Sequence, residues 1–418
     1  MEQFWVNIYA IANIIYLFWY IKKYSVRLSP GLVVLGIFVF IAIMGVPAYE
    51  MLKTDTYFRQ FNFRNVTLLP YIFLFLVTMA FLKPIFGFKD SVIKSDLKFS
   101  YTKVKYFIIV YIICAFVSGY LYYVTIINNS ILENLAEVRR GMYTGEQITA
   151  YENGFQRIFL SFASHMNIPA TLLFFLIISR YRNYYNKWIM FFFGIAILIP
   201  PIGDSIRTVS RGVIIRLFVQ LLISYSFFAE SISREVKRIF VFLSIGLLVT
   251  MYVFSMTITV ARFGDDANDT NSSLICYWGQ PPIIFNSQVV NIEQYAYGAR
   301  FFYPIADFLG LDTSVLGKLA YEHFGTCFTT FIGDIWIDSS YIGVILAALI
   351  IPYFFEKLNS LPNLTIPHVY LMLYYCLNLQ HGALVTGYGF CTSVFLCVVF
   401  YYVLKFITSP TKKELACL

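Results

Sequence analysis

A chain of 418 residues that is 59% hydrophobic, 19% aromatic and only 13% charged, with a mean hydropathy of +0.69, lies outside the range of soluble globular domains, in which about a quarter of residues are charged. The 31 Lys and Arg outnumber the 23 Asp and Glu, but they sit in short segments between apolar runs. That pattern excludes a soluble nucleic-acid binder and predicts an all-α, polytopic integral membrane protein, a single transmembrane domain over residues 1–418.

The start, MEQFWVNIYA, carries an acid and no basic region, so it reads as a retained first span. Apolar runs near 4–21, 31–47, 66–82 and 106–126 follow. Residues 127–159 then form a polar outer loop, NSILENLAEVRRGMYTGEQITAYENG, in which Ile131, Leu132, Leu135 and Val138 recur at helical spacing. Such a segment can lie on the membrane surface and present Arg139 and Arg140 to a ligand, or pack on other loops.

Runs near 160–179 and 188–202 precede the stretch GDSIRTVSRGVIIR, which places Arg207, Arg211 and Arg216 within ten residues at the entry to the next run, 212–229. Arg207 and Arg211 share a face if the loop is already helical, and Arg216 lies about a turn deeper. A charge inside a span costs roughly 2.5–3.5 kcal/mol at the helix centre and less toward the interface, so a cation kept there points to a partner, a wet cavity, or snorkelling to the headgroups.

After a run at 239–261, residues 262–335 read as the largest extracytoplasmic loop, with Arg262, Arg300 and the aromatic run YGARFFYPIADFLGL, whose Tyr297, Phe301, Phe302 and Tyr303 offer flat faces to sugars or serve as loop core. Runs at 336–355, 364–380 and 387–407 bring the expected total to about eleven spans. Basic residues fall on alternate sides, marking the cytoplasm at Lys22 and Lys23, at Lys83 to Lys105, at Arg180, Arg182 and Lys187, and at Arg234 to Arg238. The N-terminus is then outside and the C-terminus cytoplasmic.

The inner segments hold 14 Lys and 5 Arg, the outer ones 2 Lys and 10 Arg. The planar fork of arginine suits phosphate and carboxylate, so the outer face reads either as built for an anionic ligand or as pairing its arginines with the 17 acids of the same segments. No GxxxxGK[ST] loop or Gly-rich nucleotide signature is present, and the seven cysteines form no CxxC or Cys/His cluster, so no cofactor and no metal are expected. Cys276 and Cys327 share the large loop and are the only cysteine pair placed to cross-link there. Among the four histidines, His323 in that loop and His381 in the last outer turn are placed to reach an external substrate.

The layout, with the stretches NLAEVRRGMY, SRGVIIRLFVQLLI and FTTFIGDIWIDSSYIGVILAALIIPYFF, resembles the Wzy-type O-antigen and oligosaccharide repeat-unit polymerases of bacterial envelopes. Two features depart from that family. Where its pattern has Asp-Phe-Gly this chain has Asp338-Ser339-Ser340, and there is no clean copy of the Arg-x10-Gly repeats of some members.

The resemblance implies a glycosyltransferase of the bacterial cytoplasmic membrane, with a fold like the multi-span enzymes that use lipid-linked sugars. It would join undecaprenyl-diphosphate-linked oligosaccharides on the outer leaflet, among membrane lipids, with a chain-length regulator and a flippase as partners and no nucleic acid. The diphosphate is already a good leaving group and needs cations more than an acid, a role for Arg207, Arg211 and Arg216, with Arg139, Arg140, Arg262 and Arg300 as further binders. The acceptor hydroxyl needs a base, and His323, Asp334 and Asp338 are the candidates. A flippase of the same lipid, an O-antigen ligase with the same donor, and a non-catalytic scaffold are the rival readings.

Overall fold

The computed structural model describes residues 2–24, 28–54, 66–88, 93, 100–131, 133, 138, 154–263, 267–311, 328–383 and 390–409. Their regular structure is helical, joined by turns and irregular segments, with no strand among the described residues. In chain order the helices are α1 (Glu2–Tyr24), α2 (Pro30–Thr54), α3 (Leu68–Leu82), α4 (Tyr101–Asn128), α5 (Gly154–Leu176), α6 (Lys187–Arg207), α7 (Arg211–Phe227), α8 (Arg234–Phe263), α9 (Ala267–Ser287), α10 (Tyr303–Phe308), α11 (Thr330–Asn359), α12 (Ile366–Gly382) and α13 (Phe390–Thr408).

Among the described residues nine helices are long and apolar enough to cross a membrane: α1, α2, α3, α4, α5, α6, α8, α11 and α13. The protein is therefore a polytopic helical membrane protein. Helices α7 and α12 coincide with the two other apolar runs and are shorter, at 17 residues each.

The chain falls into two compact units, each described separately below. The first comprises Met1–Lys89, Asn271–Pro362 and Tyr375–Val398; the second comprises Asp90–Thr270, Asn363–Tyr374 and Val399–Leu418.

The large loop expected at 262–335 contains the 21-residue helix α9. Its mean hydropathy is held down by a polar first half and by Pro281-Pro282, so the sequence does not announce it. From Cys276 onward it is nevertheless core, with Ile283, Ile284 and Phe285 fully buried. Gly279 explains the fit: a Cβ there would lie 2.3 Å from the Met44 carbonyl oxygen and 2.5 Å from the Ala48 Cβ, so only glycine lets α9 meet α2 this closely. Asn286 on the same helix brackets Thr67, accepting from its N–H at 3.0 Å and donating to its C=O at 2.7 Å.

In the second unit a buried polar knot ties four helices together. Pro200 and Pro201 stand inside α6 and have no N–H, which leaves the carbonyls four residues earlier, Ala196 and Ile197, without their helical donors. Both are answered from neighbouring helices: the Tyr111 hydroxyl of α4 donates to Ala196 O at 3.3 Å, and the Asn167 amide of α5 donates to Ile197 O at 2.7 Å. Asn167 also donates to the Tyr111 oxygen at 2.8 Å, and Gln220 of α7 donates to Asn167 Oδ1 at 2.7 Å and to the Thr171 hydroxyl at 2.8 Å. A proline pair in an apolar span is tolerated because side chains of adjacent helices replace the missing donors. Glycines let the same helices approach: a Cβ on Gly203 of α6 would strike the Tyr122 ring of α4 at 2.4 Å, and one on Gly119 would meet Ile199 at 2.7 Å.

Asn167→Leu should lower the melting temperature in detergent, at a cost of about 1–2 kcal/mol for the membrane-buried bonds removed. Adding Pro201→Ala to that variant should recover part of the loss, because the restored amide answers the Ile197 carbonyl. Differential scanning fluorimetry of both variants checks it, and a double variant no more stable than the single one would contradict the account.

Candidate functional site

The predicted site residues fall into two groups, one in each unit. Arg139, Arg140 and His323 lie outside the described residues, as does Cys327, the proposed partner of Cys276. Arg262 falls in the last turn of α8, and its side chain lies outside the described residues.

In the second unit α6 ends at Arg207 and α7 begins at Arg211, with Thr208, Val209 and Ser210 between them. Val209 has φ +45°, a left-handed conformation that a β-branched residue adopts only when held there. What holds it is burial: Val209 is 2% exposed in an apolar cluster with Tyr122, Ile126, Ile131, Val138 and Leu160. Ile131 and Val138, half of the apolar stripe read from the outer loop, are thus packed on protein. The turn is also closed by the Ser205 hydroxyl donating to Ser210 O at 2.7 Å.

The strained turn places Arg207 and Arg211 at 8% and 6% exposure on either side of it, while Arg216 is exposed on α7. Arg207 donates to Asp204 at 2.7 Å, so part of its fork is committed to an acid. It sits at the negative end of α6, where a cation is favoured. Arg211 occupies the first turn of α7, which carries no acid; a cation at that positive helix end is disfavoured by roughly 0.3–1 kcal/mol unless an anion is near.

In the first unit Arg300 and Asp334 form an ion pair at 2.6 Å with side chains 12% and 6% exposed. The Thr329 hydroxyl donates to the same Asp334 Oδ1 at 2.8 Å. The Asp338 carboxylate, one turn on, accepts the backbone N–H groups of Arg300 at 3.2 Å and Phe301 at 3.1 Å. The segment is pinned further by the N–H of Ala296 donating to Ile337 O at 2.8 Å. Both acidic candidates therefore hold the Arg300 segment, and the structure brings the three together. The aromatic run splits: Tyr297 is 84% exposed, whereas Phe301 packs on Phe302 and Phe390.

Helix α11 breaks directly after Asp338. Ser339 leaves helical geometry, and Ser340 adopts φ 61°, ψ −173°, a combination almost confined to glycine and costing about 1–3 kcal/mol for other residues. Before the break the helix is buried, with Phe331, Ile332 and Ile337 at 6% or less; after it Leu349, Ile350 and Tyr353 are 58% exposed or more. No sequence signal reveals the break, since two serines in an apolar run are compatible with an unbroken helix. Sequence reasoning also passed over Thr329, and over His165 on α5, whose Nδ1 meets Ser161 O at 2.7 Å.

Comparison with protein-family models, with curated proteins and with solved structures finds no match to this chain.

Two outcomes follow from this geometry. Asp334→Leu alone should destabilise the protein by about 3–5 kcal/mol, because it removes the carboxylate paired with the buried Arg300 guanidinium, and Asp334→Leu combined with Arg300→Met should cost less; thermal melts of the two variants decide it. Ser340→Gly should raise the melting temperature by relieving the positive-φ strain, whereas Ser340→Val should lower it.

Proposed function

We propose that the protein is a repeat-unit polymerase: a glycosyltransferase that transfers a growing glycan from undecaprenyl diphosphate to the sugar of a newly arrived lipid-linked unit. The reaction takes place on the outer face of a bacterial cytoplasmic membrane. The chain crosses that membrane eleven times, α7 and α12 included, with its N-terminus outside and its C-terminus in the cytoplasm. The contacts agree with this topology. Lys83 pairs with Glu356 at 3.0 Å, and Lys103 donates to the carbonyls of Phe406 and Ser409, each joining segments that the loop charges assign to the cytoplasm.

The observation that carries the reading is the gathering of Arg207, Arg211 and Arg216 around one strained turn, two of them buried, with Arg211 at the positive end of α7. Cations fixed at such a place match what a departing lipid diphosphate requires, since preorganised positive charge stabilises the leaving group without reorganisation during transfer. The glycosyl donor arrives already activated, so no nucleotide is needed. Ser340 adds support to the resemblance: it occupies the position where that family's pattern has glycine, and its backbone takes a glycine-type conformation.

A second reading, a flippase for the same lipid-linked oligosaccharide, is favoured by the broken helix α11 and the buried Arg300–Asp334 pair, since interrupted spans with internal ion pairs are common in transporters. An O-antigen ligase shares the donor chemistry and differs in the acceptor.

Surface glycan and lipid-linked intermediates from a host lacking the gene, complemented with wild type or with Arg211→Ala, separate these readings. The polymerase reading expects the wild type to restore a ladder. Arg211→Ala should leave mainly single repeats, with polymer reduced about 10²-fold, and should accumulate one-unit lipid on the outer leaflet. One-unit lipid trapped on the inner leaflet would identify a flippase, full-length glycan retained on its lipid would identify a ligase, and an unchanged profile would overturn the assignment.

A further inference from the structure

Two ionisable side chains of the second unit stand at membrane depth without being buried. His165 lies seven residues into the apolar span that starts at Ile158, roughly 10 Å along the helix, and Arg216 lies five residues past the start of α7, roughly 7 Å. Arg216 is exposed and His165 half-exposed. The bonds from Gln220 to Asn167 and Thr171 set the register of α7 against α5, and Arg216, one turn before Gln220, falls within electrostatic reach of the His165 ring. Ionisable groups at this depth are costly against lipid and less so in a wet cavity or against an anionic ligand. The polar surface of α5 continues at Ser161 and Ser164, both exposed.

The ring has a defined tautomer. Its Nδ1 is 2.7 Å from the carbonyl oxygen of Ser161, and a carbonyl can only accept, so in the neutral ring Nδ1 carries the proton and Nε2 carries the lone pair. Among the described residues no hydrogen-bond donor meets Nε2. An imidazole oriented by the backbone, with a basic Nε2 and a guanidinium within electrostatic reach, is suited to removing a hydroxyl proton close to a developing negative charge.

We propose that His165 is the general base of the transfer and that Arg216 holds the diphosphate beside it, an inference that rests on the polymerase reading. Nε2 takes the proton of the acceptor hydroxyl as that oxygen bonds to the anomeric carbon of the donor glycan. The bond from the anomeric carbon to the phosphate oxygen breaks, its electron pair leaves on undecaprenyl diphosphate, and the imidazolium returns its proton to water. This assigns the base to a helix of the second unit, in place of His323, Asp334 or Asp338.

The test uses the full chain in a host lacking the gene, with the melting temperature of each purified variant measured in parallel. His165→Asn is the informative variant, because its amide N–H can still reach the Ser161 carbonyl while the basic nitrogen is gone. The expected result is a folded protein whose polymer yield falls about 10²-fold or more. His165→Ala should behave likewise and recover part of its activity when imidazole is supplied to the purified enzyme in proteoliposomes containing the one-unit lipid. Arg216→Ala should weaken retention of undecaprenyl diphosphate, and His165→Asn should leave it at the wild-type level. If deleting the gene collapses the ladder but His165→Asn restores it in full, the base assignment is overturned and the polymerase reading stands. If deletion leaves the ladder intact, the polymerase reading itself fails.

Discussion

The second unit depends on a substitution of hydrogen-bond donors inside the membrane. Pro200 and Pro201 remove two backbone amides from α6, and in hydrocarbon no water is available to the carbonyls of Ala196 and Ile197. Tyr111 and Asn167 supply the replacements from α4 and α5, and Gln220 extends the knot to α7. One local defect thereby fixes the rotation and depth of four helices. The same helices carry the arginines: α6 ends in Arg207 and α7 begins at Arg211, so the knot determines where those guanidinium groups are held.

Strain is concentrated where charge is. Val209 takes a left-handed conformation between Arg207 and Arg211, and Ser340 takes a glycine-like one directly after Asp338, near the Arg300–Asp334 pair. The first is compensated by burial in an apolar cluster; the second ends a buried half-helix whose continuation is exposed. At Val209 the unfavourable backbone keeps Arg207 and Arg211 from the relative positions that one continuous helix would give them. The two devices differ in consequence. The turn at Val209 gathers three arginines, one of them bonded to Asp204, whereas the break in α11 accompanies a single buried pair.

Arg300 is a case in which pairing within the chain, one of the two readings open for an outer arginine, is what the structure shows. Arginine in an outer segment was expected to hold an anion, and it does hold one, the Asp334 carboxylate of its own chain. The two acids considered as bases are both bound to the Arg300 segment, Asp334 through the guanidinium and Asp338 through two backbone amides. His165 lacked any loop or motif to mark it and stood in an apolar run, which is why a search confined to outer loops passed it by.

The sequence alone determined the class of this protein, because hydropathy and length are properties of contiguous segments: apolar runs become helices in hydrocarbon, and among the described residues nine helices of spanning length stand where runs were read. It also marked Arg207, Arg211 and Arg216, since three arginines at the mouth of an apolar run are conspicuous without coordinates. Tertiary structure decided what depends on distant partners. Helix α9 was hidden by polar residues and a proline pair, and Gly279 against Met44 brings it into the core. The donors for the Ala196 and Ile197 carbonyls come from residues 85 and 30 positions away. The pairing of Arg300 with Asp334, the break at Ser340 and the approach of Arg216 to His165 likewise arise between segments far apart in the chain, where hydropathy and local spacing carry no information.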